Sequence, residues 1–135
     1  MLLEEIYKRI KSQHDCYLEI DDFSSVLMMY PAALVAAADG EFSDLERLNI
    51  VKALKEASSE DDFKLCEMYL LLNHLMTLKE EEKNNLLAQM KEMISGKDEI
   101  KSIVLDLMIS TADSDDGISE VEQNVINNLK SILSL

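Results

Sequence analysis

Apolar residues recur every three or four positions along most of this chain, which is the period of a helix and not of a strand. Three glycines and one proline are all that interrupt it. The spacing predicts about seven helices. The first covers about residues 2–19, with Leu2, Leu3, Ile6, Tyr7 and Ile10 on one face. Asp21 or Asp22 can cap the second, which is almost wholly apolar from Val26 to Ala38 and is therefore expected at the centre. Pro31 lies inside that stretch and predicts a kink or a helix start, because it lacks the N–H of a helical hydrogen bond. Asp39-Gly40 should end it.

Ser43 and Glu46 have the capping-box spacing for a third helix, striped by Leu45, Leu48, Val51 and Leu54. Ser58 or Ser59, followed by three acids, marks the start of a fourth. Its Met68-Tyr69-Leu70-Leu71-Leu72 run is apolar around most of the circumference, so this helix is expected between the two halves. Thr77 and Glu80 read as the capping box of a fifth helix, with Leu86, Leu87, Met90, Met93 and Ile94 inward and Gly96 closing it. A sixth runs from about Asp98 with Ile100, Ile103, Val104, Leu107 and Met108 inward. Ser119 and Glu122 open a seventh, carrying Val121, Val125, Leu129 and Ile132.

The pattern repeats. In each half an apolar helix runs into an acidic Asp/Gly turn, and a capping box starts the next helix. The fold expected is all-α: two pseudo-symmetric hairpins, about 23–57 and 98–134, around a shared central helix, with 1–20 as an N-terminal extension. At 135 residues the chain is one domain. It buries roughly 68% of its unfolded surface and needs no disulfide or metal to hold a core.

Charge sharpens the repeat. The formal net charge is −14, and two windows hold all of it. Residues 12–46 contain eight acids and no Lys or Arg; residues 102–129 contain six acids and none. Such acidity, without a basic cluster, argues against binding to a phosphate backbone. It suits cations or a basic protein partner. No apolar run approaches the roughly 20 residues of a membrane helix, and the N-terminus has no secretory signal. Cys16 and Cys66 lack any partner spacing and read as buried or reduced thiols of a cytoplasmic protein.

The acidic turns admit two chemistries. Carboxylates on a tight turn are ligands for hard divalent cations. Asp113, Asp115 and Gly117 begin like a calcium loop, but from Asp113 the glycine falls one position early and Glu122 two positions early for an EF-hand. The competing account is structural. Ser43/Glu46 and Ser119/Glu122 cap their own helices, Asp44 and Glu120 sit where the helix dipole favours negative charge, and Asp-Gly is ordinary turn chemistry. It accounts for more of the residues than the metal does, and the two compete for the same glutamates.

No enzyme signature accompanies the turns. His14-Asp15-Cys16 are neighbours on one helix and point in different directions, so they do not make a nucleophile–base pair. His74 on the apolar fourth helix reads as a core or boundary residue, and no Cys/His cluster has zinc spacing. Met28 and Met29 read as core, with an adaptable groove as the alternative.

Two motifs carry a resemblance. Residues 36–46, Ala-Ala-Ala-Asp-Gly-Glu-Phe-Ser-Asp-Leu-Glu, resemble the first signature of the TerB-like family, the tellurite-resistance and DnaJ-associated helical domains. Residues 112–122, Ala-Asp-Ser-Asp-Asp-Gly-Ile-Ser-Glu-Val-Glu, resemble the second. The likeness covers about residues 23–134. It implies an all-helical fold of two related bundles, and a cytoplasmic, stress-linked protein without known catalysis. The family's acids are suspected cation ligands. Carried over, they are Asp39 and Glu46 in the first turn, and Asp113, Asp115 or Asp116, and Glu122 in the second. The second turn has one residue fewer between its Gly and its Ser, so either Asp115 or Asp116 matches Asp39. The cation implied is calcium or similar, the alternative being a metal-free adaptor whose acidic face meets a basic partner.

Overall fold

The computed structural model describes residues 2–13, 19–38, 50, 52, 53, 55, 62–113 and 117–135. Among them there are six helices and no strand: α1 (Leu2–Gln13), α2 (Ile20–Ala36), α3 (Asp62–Leu75), α4 (Glu80–Ile94), α5 (Asp98–Ala112) and α6 (Glu120–Leu133). Residues 50, 52, 53 and 55, from the expected third helix, are helical as well, and Ile50 is buried. Ser43, Glu46 and the apolar stripe proposed around them lie outside the described residues.

The core is organised about α2. Phe23, Val26, Leu27, Met29, Tyr30, Ala32, Ala33, Val35 and Ala36 are all buried, so this helix faces neighbours on nearly every side. It packs most extensively against α5, and also against α3, α6 and α1. Helix α4 packs on α6, α1 and α5. Ala32, Ala33 and Ala36 keep the surface of α2 thin where other helices approach.

The start of α2 differs from expectation. Glu19, in extended backbone, is the N-cap, and neither Asp21 nor Asp22 takes that place. Asp22 sits at N3 and its carboxylate accepts the Glu19 N–H at 3.0 Å. Pro31 lies within α2, which neither starts nor stops there. Thr77 also serves a different end from the one its spacing suggested. Its hydroxyl donates to the His74 carbonyl at 2.7 Å and finishes α3. Lys79 is the N-cap of α4, so Glu80, Glu81 and Glu82 fill the first turn, where the positive end of the helix dipole favours acids.

Three apolar side chains expected inside face water. Leu70 is 65% exposed, Ile103 55% and Val121 47%. Helix α3 is therefore one-sided, burying Met68, Leu71, Leu72 and Leu75. The buried face of α5 centres on Val104, Met108 and Ala112, and that of α6 on Glu122, Ile126, Leu129 and Leu133. At the N-terminus, α1 is held by an edge-on Tyr7–Phe23 ring contact with centroids 5.8 Å apart. Arg9 adds a salt bridge to Glu82 at 2.7 Å.

Candidate functional site

The second acidic turn joins α5 to α6. Asp113 is the C-cap residue of α5, and its N–H returns to the Ile109 carbonyl at 2.9 Å. Its side chain is exposed. Gly117 follows at φ +94°, a conformation that costs any L side chain and suits glycine. Ile118 then packs onto the core and anchors the turn.

The capping box predicted at Ser119 and Glu122 is present in both directions. The Glu122 N–H donates to Ser119 Oγ at 3.1 Å, and the Ser119 N–H donates to Glu122 Oε1 at 3.1 Å. Ser119 has extended backbone, and its carbonyl accepts the Gln123 N–H at 2.9 Å. Glu122 is only 5% exposed. A cation drawing on Glu122 therefore competes with a backbone donor in a nearly dry place. Ser119→Ala removes one acceptor from the helix start and should cost about 1 kcal/mol in chemical denaturation. An unchanged midpoint would mean that the bond contributes nothing.

The other proposed ligands divide simply. Asp39, Glu46, Asp115 and Asp116 lie outside the described residues. Among the described residues no three His, Cys, Asp or Glu side chains gather closely enough to hold a metal ion. His14, Asp15 and Cys16 also lie outside the described residues.

An electrostatic asymmetry distinguishes the two helices that lead into the acidic turns. Helices α1, α4 and α6 end with Lys11, Lys91 and Lys130 in their last turns, and α3 with His74. Helices α2 and α5 have no basic residue there. The negative end of a helix dipole amounts to about half a charge. At these two ends no basic residue of the last turn offsets it, and acid-rich sequence follows.

Two openings flank α2. A cleft of about 310 Å³ lies between the end of α2 (Leu34, Ala37, Ala38), the first turn of α4 (Glu80, Lys83) and the middle of α6 (Val125, Asn128). On the α4 side Glu80 and Lys83, one turn apart on the same helix, pair at 3.2 Å. The second opening is an apolar groove between α2 and α5, described below. Periodicity had placed Met29 and Ile103 in the core, so only the methionines hinted at it. Near the cleft, Tyr30 is fully buried and its hydroxyl has no hydrogen-bond partner among the described residues. Burial, and secondarily the Glu80 carboxylate, push that hydroxyl up to about 12.

Among the described residues the chain is all-helical, with a two-way capping box opening α6 and no basic residue in the last turns of α2 and α5. The family model described as "Tellurite resistance protein TerB" matches residues 26–135, and the chain belongs to that family. The match takes in most of α2 and every later helix, and it leaves out α1. Comparison with curated proteins and with solved structures yields no match. No helix among the described residues is long and apolar enough to cross a membrane.

Proposed function

We propose that this chain is a non-catalytic, stress-associated cytoplasmic module of the tellurite-resistance family that takes up a divalent cation, calcium or a similar hard ion, at its acidic turns. The observation that carries the reading is the pair of helix ends, α2 and α5, that lack a basic residue in the last turn and run into acid-rich sequence. A hard cation wants several oxygens, and a turn of this kind supplies carboxylates beside helix-terminal carbonyls. In the second turn Asp113 with Asp115 or Asp116 carries the ion, and Glu122 adds charge while it keeps its cap. Asp39 and Glu46 take the corresponding places in the first.

Millimolar calcium should raise the melting temperature more than sodium chloride of equal ionic strength. Sodium chloride only screens repulsion, whereas a bound ion stabilises the folded state by mass action. Changing Asp113 and Asp115 together to Asn should remove most of the difference, and calorimetric titration should lose its heat. Identical melting curves in the two salts would eliminate the cation reading.

One observation favours a second reading, a metal-free adaptor for a basic protein partner. The domain exposes large apolar side chains, Ile103 among them, on a chain of net charge −14. Acids around an apolar patch are what a basic, amphipathic partner would meet.

A further inference from the structure

Where α2 packs against α5, an apolar groove of about 260 Å³ opens along their junction. Met28 and Met29 form one wall, and Ile100, Ile103 and Val104 the other. Its floor belongs to the core, since Met29 and Val104 are buried, but Ile103 stands 55% exposed on the rim. A large β-branched side chain in that position offers an anchor with one side already packed. The methionines add walls that adapt their shape, because an unbranched thioether side chain changes rotamer easily.

Immediately around Ile103 the charge on α5 is acidic, while Lys97 stands three residues before Ile100 at the start of that wall. Glu99 lies four residues before Ile103 and Asp106 three residues after it, so both share its side of α5, and both are exposed. Lys101 lies off the Ile103 side of α5, three residues before Val104. Helix α2 contributes no Lys or Arg at all.

We propose that this groove docks an amphipathic helix of a partner protein, its apolar residues on Ile103 and the methionines and its Lys or Arg residues against Glu99 and Asp106. An apolar groove of this kind takes a helix through anchors one turn apart. The acidic rim selects basic partners and speeds their encounter. The proposal rests on the adaptor reading above and gives it a surface distinct from the acidic turns.

The probe is a model helical peptide with Leu along one face and Lys along the other, with a Leu/Glu peptide as its counterpart. Fluorescence anisotropy at physiological ionic strength should show binding of the Leu/Lys peptide and none of the Leu/Glu peptide. Ile103→Ser alters an exposed side chain and should weaken binding about tenfold or more, as loss of a central anchor does. Glu99→Gln with Asp106→Asn should weaken it and flatten its salt dependence. Leu70→Ser, at an exposed leucine on α3, should leave it unchanged. In methyl NMR, Met28 and Met29 should shift on binding.

The proposal is overturned if the Leu/Lys peptide fails to bind, or if it binds the Ile103→Ser variant as it binds the unaltered protein. Binding that survives Ile103→Ser but disappears with Asp113→Asn and Asp115→Asn would overturn the groove and leave the adaptor reading standing on the acidic turn. Self-association abolished by Ile103→Ser, with no peptide binding, would assign the groove to a second copy of the chain instead.

Discussion

Leu72→Ala is expected to cost about 2–5 kcal/mol of unfolding free energy, and Leu70→Ala, on the same helix, within about 0.5 kcal/mol of nothing. The two residues are chemically identical and two positions apart on α3. Leu72 is 1% exposed and Leu70 65%. Truncating Leu72 removes methyl and methylene groups from a packed interior and leaves a cavity that the neighbours fill only in part. Truncating Leu70 removes groups that water already reaches. For a domain with about 5–15 kcal/mol of total stability, the first change takes a large fraction of it. Urea unfolding of both variants measures this directly, through the midpoint at constant slope. Equal losses would show that α3 is turned differently on its axis.

Tyr30→Phe should stabilise the protein by about 1–3 kcal/mol at neutral pH, a rare direction for a core substitution. Tyr30 is fully buried in α2, and its hydroxyl gave up water without gaining a partner among the described residues. Phenylalanine keeps the ring and omits the orphaned group. The alkaline limb provides a second readout. The hydroxyl pKa is pushed up to about 12, chiefly by burial and then by the Glu80 carboxylate, from 10.0 in the unfolded chain. The folded state therefore holds its proton where the unfolded chain releases it. This group leaves stability independent of pH below about 10 and lowers it as pH rises from 10 toward 12, by roughly 2–3 kcal/mol in all. The phenylalanine variant should lack that share of the decline. A variant less stable at pH 7, with an unchanged alkaline limb, would mean that the hydroxyl has a partner.

The fold was largely legible in the sequence because helix signals are local. The apolar period, the Gly96 stop and the Ser119–Glu122 box each depend on residues within a few positions of one another, and each appears where it was read. The long apolar stretch in α2 announced a central helix for the same reason: only a helix with neighbours all round can be apolar all round. Capping was legible where the side chain had one use. Thr77 had two, and the α3 carbonyl at His74 took it in place of the α4 N-terminus. At α2 the box was built from Glu19 and Asp22, a pairing outside the usual Ser/Thr pattern.

Of the candidate site, the sequence by itself determined the acidic windows, the Ser119–Glu122 box after the second turn and the family the chain belongs to. It could not divide Glu122 between cap and ligand. That depended on the burial of Glu122, which comes from the way α6 lies on its neighbours. Nor could it tell which residues of an apolar stripe face the core and which face water. Ile103 and Val104 are adjacent and equally apolar, yet one stands on a groove rim and the other under it. A helix stripe is wider than one contact line, and only the crossing of α2 over α5 decided which edge of it stayed open.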